Sequence, residues 1–492
     1  MLLVLTIQAA DAKRPLYKKH HVVNKTLAEL LRAGNFQPAG FGFLAIDTKT
    51  GEIVAMYHPD KALRPASNQK LISTATALQL YGPDYRFETQ LEYSGHIDTV
   101  THILYGNIVI KGGGDPTLGS KYFEETKTHR FLQDWATAIK NLGVDSVAGR
   151  VIADARIFSR DIVPLSWSWN NMGDYYGAGA CGLTIYDNFY KVYFDTDTIP
   201  GDTVRIDSVV PQVPGLVFDN GVVADTVPGD RSNIIGAPYC NQRYLRGALP
   251  LGRQGFAVKG SLPDPALLAA FELDRVLKGQ GIHCGKQPTT VRRLQLAGKP
   301  VDDTLKILTT TYSPPLSAII QKTNTHSVNL FAEHLLDLSG LKLIGAAQTE
   351  KDVKAVMDYW QEEGMDIGGM ALTDGSGLSQ YNAVTPRQMV FLLNYMKHNS
   401  PWFDVYYQSL PLAGKSDRAG TLEGMFSGSP AEGNLRAKSG TIDRVKAYTG
   451  FVTSRSGRQI AFSMMVNNFS GKSKEARAQL EKLMVALAQL KK

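Results

Sequence analysis

The segment Pro65-Ala66-Ser67-Asn68-Gln69-Lys70 sets a serine hydroxyl and a lysine amine three positions apart, directly ahead of an apolar run that continues to Leu80. On a helix, positions i and i+3 share a face, so the Lys70 amine can stand beside the Ser67 hydroxyl. A serine hydroxyl is a weak nucleophile at neutral pH and needs an adjacent base. Lysine can serve only if its pKa is lowered, by burial or by a second cation nearby. Lys70 is the only charged residue between Pro65 and Tyr81. A helix N-terminus at Ser67 would also favour the negative charge that develops on an attacked carbonyl.

The spacing alone is weak evidence, because Ser339-Gly340-Leu341-Lys342 repeats it. That copy follows a long helical pattern and begins Ser-Gly, which predicts a helix C-cap with a solvated lysine. Two companion patterns add weight to the first copy. Ser327-Val328-Asn329 follows the turn-like Thr323-Asn324-Thr325-His326 and opens a helix; the similar Ser168-Trp169-Asn170 sits among tryptophans in an expected loop. Lys438-Ser439-Gly440-Thr441 leads into a C-terminal strand pair, whereas Lys49-Thr50-Gly51 falls in a hairpin turn, where lysine and glycine are expected and exposed.

The elements that must hold these groups lie at both ends of the chain. A helix is expected over 25–34, strands over 41–46 and 52–57, and the Ser67–Lys70 helix after them. Toward the C-terminus, helical periodicity marks 316–320 and 327–338, strands are expected over 447–453 and 459–466, and a last amphipathic helix over 473–490. Between about 87 and 304 the chain is rich in short alternating runs, Asp, Gly and Pro, as at Val151–Phe158, Lys191–Phe194 and Thr203–Asp207. The expected architecture is an α/β domain built from both chain ends and interrupted by a mostly β insertion. With 492 residues the chain exceeds one compact core, and length alone suggests about three domains.

Composition narrows the function. The apolar fraction of 43% and charged fraction of 20% are those of globular protein. A net charge of +7, scattered and without a nucleic-acid motif, argues against a nucleic-acid partner. Cys181, Cys240 and Cys284 form no CxxC, and the ten histidines form no HxxxH or HExxH, so no metal is suggested. Gly112–Asp115 lacks the lysine of a phosphate loop and is expected to be a turn. His326 and His334 flank the second motif and are assigned no catalytic role. Leu2–Leu5 followed by Ala10-Asp11-Ala12 is similar to a secretory leader with its cleavage site, without the usual basic start; a buried N-terminal strand is the alternative. No segment approaches the ~20 apolar residues of a spanning helix.

Ser67/Lys70, Ser327/Asn329 and Lys438/Ser439/Gly440, in this order, resemble the three motifs of the D-alanyl-D-alanine carboxypeptidases and endopeptidases among the low-molecular-mass class C penicillin-binding proteins, a family of serine DD-peptidases. Gly112–Leu118 and Asp374–Ser379 are also similar to segments of that family. Ser439 stands where threonine is commoner, and Gln380 where a basic residue is expected.

The resemblance implies a penicillin-binding-protein/β-lactamase-like catalytic domain, with a central antiparallel sheet flanked by helices, over 13–86 and 305–492. It further implies an outer insertion over 87–111 and 192–304 and an inner one nested at 112–191, with 1–12 the remnant of a leader. It assigns Ser67 as the nucleophile, Lys70 as its base, and Ser327 and Asn329 as one wall of the site. Lys438 would keep Lys70 neutral and attract the substrate carboxylate, with Ser439, Gly440 and Thr441 binding that carboxylate, and the backbone N–H groups of Ser67 and Thr441 as oxyanion hole. The implied partners are peptidoglycan peptides and β-lactams, with no cofactor and no nucleic acid. The implied place is the periplasm or cell envelope, with peripheral attachment to membrane or wall left open. A β-lactamase would use the same triplet but needs a deacylating water, for which no glutamate is identifiable. A non-catalytic muropeptide-binding protein would be expected to lack Ser67 or Lys70.

Overall fold

The computed structural model describes residues 20–301, 304–414 and 416–491. The leader-like segment at residues 1–12 lies outside them. Contacts between Cα atoms divide the chain into two compact units, one comprising 1–68, 360–372 and 381–492, the other 69–359 and 373–380.

The first unit is built on a five-stranded antiparallel sheet drawn from both chain ends. Its order is Arg436–Ile442, Val445–Thr453, Gln459–Asn467, Gly40–Asp47, Ile53–Tyr57. The central strand Gln459–Asn467 is buried at eight of its nine positions, the near-continuous apolar pattern of a strand covered on both faces. His21–Arg32 and Ser473–Ala488 pack on each other, and Pro386–Asn399 packs on the central strands. A core of Phe41, Phe43, Phe462, Met464, Leu480 and Leu483 fills the space between sheet and terminal helices. The expected strands and the C-terminal helix lie within two residues of their expected limits, whereas the first helix starts four residues early, at His21. The hairpin Asp47–Gly51 closes with Asp47 Oδ1 accepting the N–H groups of Lys49 and Thr50, and Lys49 is exposed, as its turn composition implies.

In the second unit Lys70–Tyr81 packs against Leu316–His326 and Asn329–Ile344. The remainder is the β-rich stretch. Its largest sheet has the order Thr289–Thr290, Val151–Asp154, Ile108–Lys111, Glu88–Tyr93, Lys306–Tyr312. Glu88–Tyr93 and Lys306–Tyr312 are antiparallel neighbours, so the chain leaves for and returns from the long β-rich stretch side by side. Two helices inside that stretch, Arg130–Lys140 and Pro265–Gly279, go beyond the mostly β expectation. The second had a readable start: Asp264 caps the Leu267 N–H and proline occupies the first position.

Two local expectations are corrected. Thr323–His326 is not a turn but the last turn of helix Leu316–His326. Its polar side chains satisfy themselves on the helix, Thr323 Oγ1 donating to the Ile319 carbonyl and Thr325 Oγ1 to Gln321. Ser339 is not a C-cap: helix Asn329–Ile344 runs through it and stops at Gly345, whose φ of 66° supplies the left-handed end.

Candidate active site

In the second unit the site is built around Lys70. The helix Lys70–Tyr81 is buried from Lys70 to Leu78, because apolar, Ala and Thr side chains face helices on more than one side. Lys70 is 0% exposed. Its amine donates to Asn329 Oδ1 at 2.6 Å and to the Ser376 carbonyl at 2.8 Å. Asn329 in turn donates from Nδ2 to the Tyr176 carbonyl at 2.8 Å, which fixes the amide with its oxygen toward Lys70.

Burial lowers the Lys70 pKa to about 7, while the neighbouring carboxylates of Asp374 and Glu333 act to raise it. Desolvation is therefore the dominant cause, since an ammonium loses its hydration inside the protein. An amine in this state is neutral in about half of the molecules at pH 7.

Ser327 sits at the junction of two helices, in the left-handed conformation with φ 58°. That geometry is costly for a non-glycine residue. It ends one helix so that Val328 stands at the N-cap position of the next and Asn329 is its first residue.

In the first unit, Ser67 lies in a 3-10 turn over Ala66–Gln69, so the α-helix opens at Lys70 and not at Ser67 as expected. Ser67 is half-buried. Ala66 before it has φ 46°, a strained backbone that costs on the order of 1–3 kcal/mol and is held by its surroundings. Asn68 anchors the turn to the sheet through Thr449 Oγ1 at 2.8 Å, which meets Ser463 at 2.8 Å. Gly440 passes so close to the turn that a Cβ there would lie 2.5 Å from the Pro65 carbonyl oxygen and 3.1 Å from the Ser67 nitrogen. The third motif requires glycine because strand and turn backbones meet there.

Lys438, on the same strand, is 0% exposed and donates to the Ser439 carbonyl at 2.8 Å. Thr441 is exposed, and its hydroxyl accepts from Lys446 at 2.9 Å.

The structure thus brings Lys70 and Asn329 into contact in one unit and the Ser67 turn and Gly440 into contact in the other. Sequence reasoning passed over Glu333 and knew Ser376 only within the Asp374–Ser379 segment. Glu333 is one helical turn after Asn329, a spacing that signals a shared face. Asp374 belonged to a segment noted only by resemblance. Its carboxylate accepts the N–H groups of Gly377 at 2.8 Å and Ser379 at 2.6 Å and the Trp167 indole at 2.8 Å.

The other candidates have structural partners. His334 is buried, with its pKa pushed down to about 4 by desolvation, and bridges the Gly114 carbonyl and Thr184. Gly112–Asp115 runs into a turn in which Asp115 Oδ1 accepts the Thr117 N–H at 2.7 Å. Cys181 is buried, and its thiol is pushed up to about 12, as expected for a small apolar filler. Among the described residues no group of His, Cys, Asp and Glu is arranged to hold a metal, and no helix is long and apolar enough to cross a membrane.

Comparison with known proteins adds an independent line. The model of the D-Ala-D-Ala carboxypeptidase 3 (S13) family matches residues 23–490. D-alanyl-D-alanine carboxypeptidase DacB of Haemophilus influenzae is 27% identical over 439 residues, 87% of this chain and 85% of that protein. A D-alanyl-D-alanine carboxypeptidase of Actinomadura is 29% identical over 441 residues, 87% of this chain and 78% of that protein. The crystal structure of penicillin binding protein 4 from Haemophilus influenzae shares the fold, with a TM-score of 0.80 at 24% identity over 94% of this chain and 99% of that one. The same protein complexed with a β-lactam gives 0.74 at 23% identity, over 94% and 98%.

Proposed function

Since this chain belongs to the D-Ala-D-Ala carboxypeptidase 3 (S13) family and is a serine-type peptidase, we propose that it cleaves the terminal D-Ala-D-Ala bond of peptidoglycan stem peptides through an acyl-enzyme on Ser67. The observation that carries this reading is Lys70: an amine wholly buried, held by Asn329 and Ser376, and lowered to about 7 three residues after a serine.

In the proposed reaction Lys70 takes the Ser67 proton as the oxygen attacks the carbonyl between the two D-alanines. The N–H groups of Ser67 and Thr441 stabilise the oxyanion, where one such donor is worth about 3–4 kcal/mol. The tetrahedral species collapses with the C–N bond breaking, and the departing amine receives the proton from Lys70 by way of Ser327. Water then hydrolyses the Ser67 ester and restores the enzyme. Asn329 binds the substrate amide. Lys438 attracts the terminal carboxylate, which Ser439 and Thr441 also bind against the glycine at 440. In this reading burial accounts for the Lys70 depression.

A β-lactam offers an acyl carbonyl to the same serine, so these antibiotics are the expected covalent inhibitors. Cleavage of D-Ala–diamino acid cross-links is proposed as a second activity of the same machinery. We place the enzyme outside the cytoplasm, where its substrate is, with peripheral attachment to membrane or wall compatible with it. The nested insertion of 112–191 within 87–304 is retained as a proposal, supported at its outer limits by the pairing of Glu88–Tyr93 with Lys306–Tyr312.

The test is reaction with a fluorescent penicillin, with the label located by mass spectrometry. Rapid labelling of Ser67 with slow release is expected. Fast turnover would instead indicate a β-lactamase, and no labelling of folded protein would sink both readings. Muropeptide digestion then separates trimming of terminal D-alanine from cutting of cross-links.

A further inference from the structure

Glu333 is a buried carboxylate, 3% exposed, that the reaction above does not use. It lies on helix Asn329–Ile344 four residues after Asn329, on the same face. Its two oxygens accept two successive backbone N–H groups, Oε2 from Gly375 and Oε1 from Ser376, both at 2.8 Å. Gly375 lies directly on this helix, since a Cβ there would stand 2.6 Å from the Ala332 carbonyl oxygen and 3.0 Å from Leu336 Cβ. The Asp374–Gly377 loop is therefore clamped to the helix by one side chain and one missing side chain.

The other face of that loop holds the Lys70 helix. The Ser376 carbonyl accepts from Lys70 Nζ at 2.8 Å, the Gly375 carbonyl from Ser73 Oγ at 2.6 Å, and the Asp374 carbonyl from Gln69 Nε2. Lys70 is thus referred to one helix twice, directly through Asn329 Oδ1 and indirectly through Glu333 and the loop. A neutral amine has two N–H donors and one lone pair. Once both donors are committed to Asn329 and Ser376, the direction of the lone pair is set, and that lone pair must accept the serine proton.

We propose that Glu333 is a positioning residue for acylation: by accepting the Gly375 and Ser376 N–H groups it holds the Ser376 carbonyl on the Lys70 amine and so aims the lone pair of the base. The inference rests on Lys70 being that base. The charged groups facing this pair within the unit are Asp374, which acts on both, and Asp337, one turn further along the Glu333 helix. Burial and Asp374 push the Glu333 carboxyl upward, while its two N–H donors favour the anion. As an anion it raises the pKa of Lys70.

Glu333→Gln keeps the volume, removes the charge and turns an amide NH2 toward a backbone N–H, so one of the two bonds is lost. The rate of penicillin acylation is expected to fall about 10- to 100-fold, the scale of a small misplacement of a catalytic group. The rising limb of the acylation rate against pH should also move to lower pH, because Lys70 loses a neighbouring negative charge. A purely structural role would lower the melting temperature and leave that limb where it was. Glu333→Asp, read alongside and decisive if the glutamine variant does not fold, keeps the charge but shortens the reach; it should be slow with the limb unmoved and the melting temperature held at the wild-type value. An unmoved limb in Glu333→Gln, or wild-type rates in Glu333→Asp, overturn the proposal. Failure of the wild-type protein to label at Ser67 refutes the reading of Lys70 as the base, a result distinct from both.

Discussion

Ser67-Asn68-Gln69-Lys70 and Ser339-Gly340-Leu341-Lys342 carry the same serine-to-lysine spacing with opposite burial. In the first, the serine is half-buried and the lysine is 0% exposed, gripped by Asn329 and Ser376. In the second, Ser339 is 0% exposed with its hydroxyl spent on the Leu335 carbonyl at 2.7 Å, and Lys342 is exposed over the Tyr81 ring at 5.6 Å. A solvated lysine keeps its proton at neutral pH, and a hydroxyl bonded back to its own helix has no access to a substrate. The difference teaches that the motif becomes chemistry only when the serine is reachable and the lysine is dry.

The contrast can be broken most severely at the serines. Ser67→Ala should abolish covalent penicillin labelling, while Ser339→Ala should label at the wild-type rate, as followed by gel fluorescence and intact mass. At the lysines, Lys70→Met should slow acylation by about 10³-fold, within the range of general-base contributions, against less than twofold for Lys342→Met in stopped-flow kinetics. The pH dependence sharpens the same point. A base must be deprotonated to act, so acylation should fall about tenfold per unit below the Lys70 pKa near 7 and level off above it; a rate that rises as pH falls would contradict the assignment.

The smallest effects are expected at the two glycines. At Gly440→Ala the new Cβ meets the Pro65 carbonyl oxygen at 2.5 Å, and at Gly340→Ala it meets Asp352 Oδ1 at 2.0 Å. Each should cost about 1–3 kcal/mol of stability in denaturant melts, but only Gly440→Ala should also slow labelling.

Much of this arrangement is legible in the chain. The apolar strands at 40–47, 53–57 and 459–467 and the amphipathic C-terminal helix follow from their composition and periodicity. Ser327 was legible as important and misread in setting: a single left-handed residue between two helices leaves no periodic trace, and Thr, Asn, Thr and His before it look like a turn. Glu333 was hidden for another reason. On a largely apolar helix it reads as one surface charge, because nothing in the local sequence tells that the loop at 374–377 returns its N–H groups to that face.

The sequence by itself determined the reactive groups, their order, the presence of a helix after the serine and the assembly of a sheet from both chain ends, since these depend on side-chain chemistry and short-range periodicity. Tertiary structure alone decided which of two serine–lysine pairs has a dry lysine, and which carbonyl, amide and carboxylate surround it. Desolvation and hydrogen-bond partners arise from residues hundreds of positions away, and burial is a property of the packed chain rather than of any segment within it.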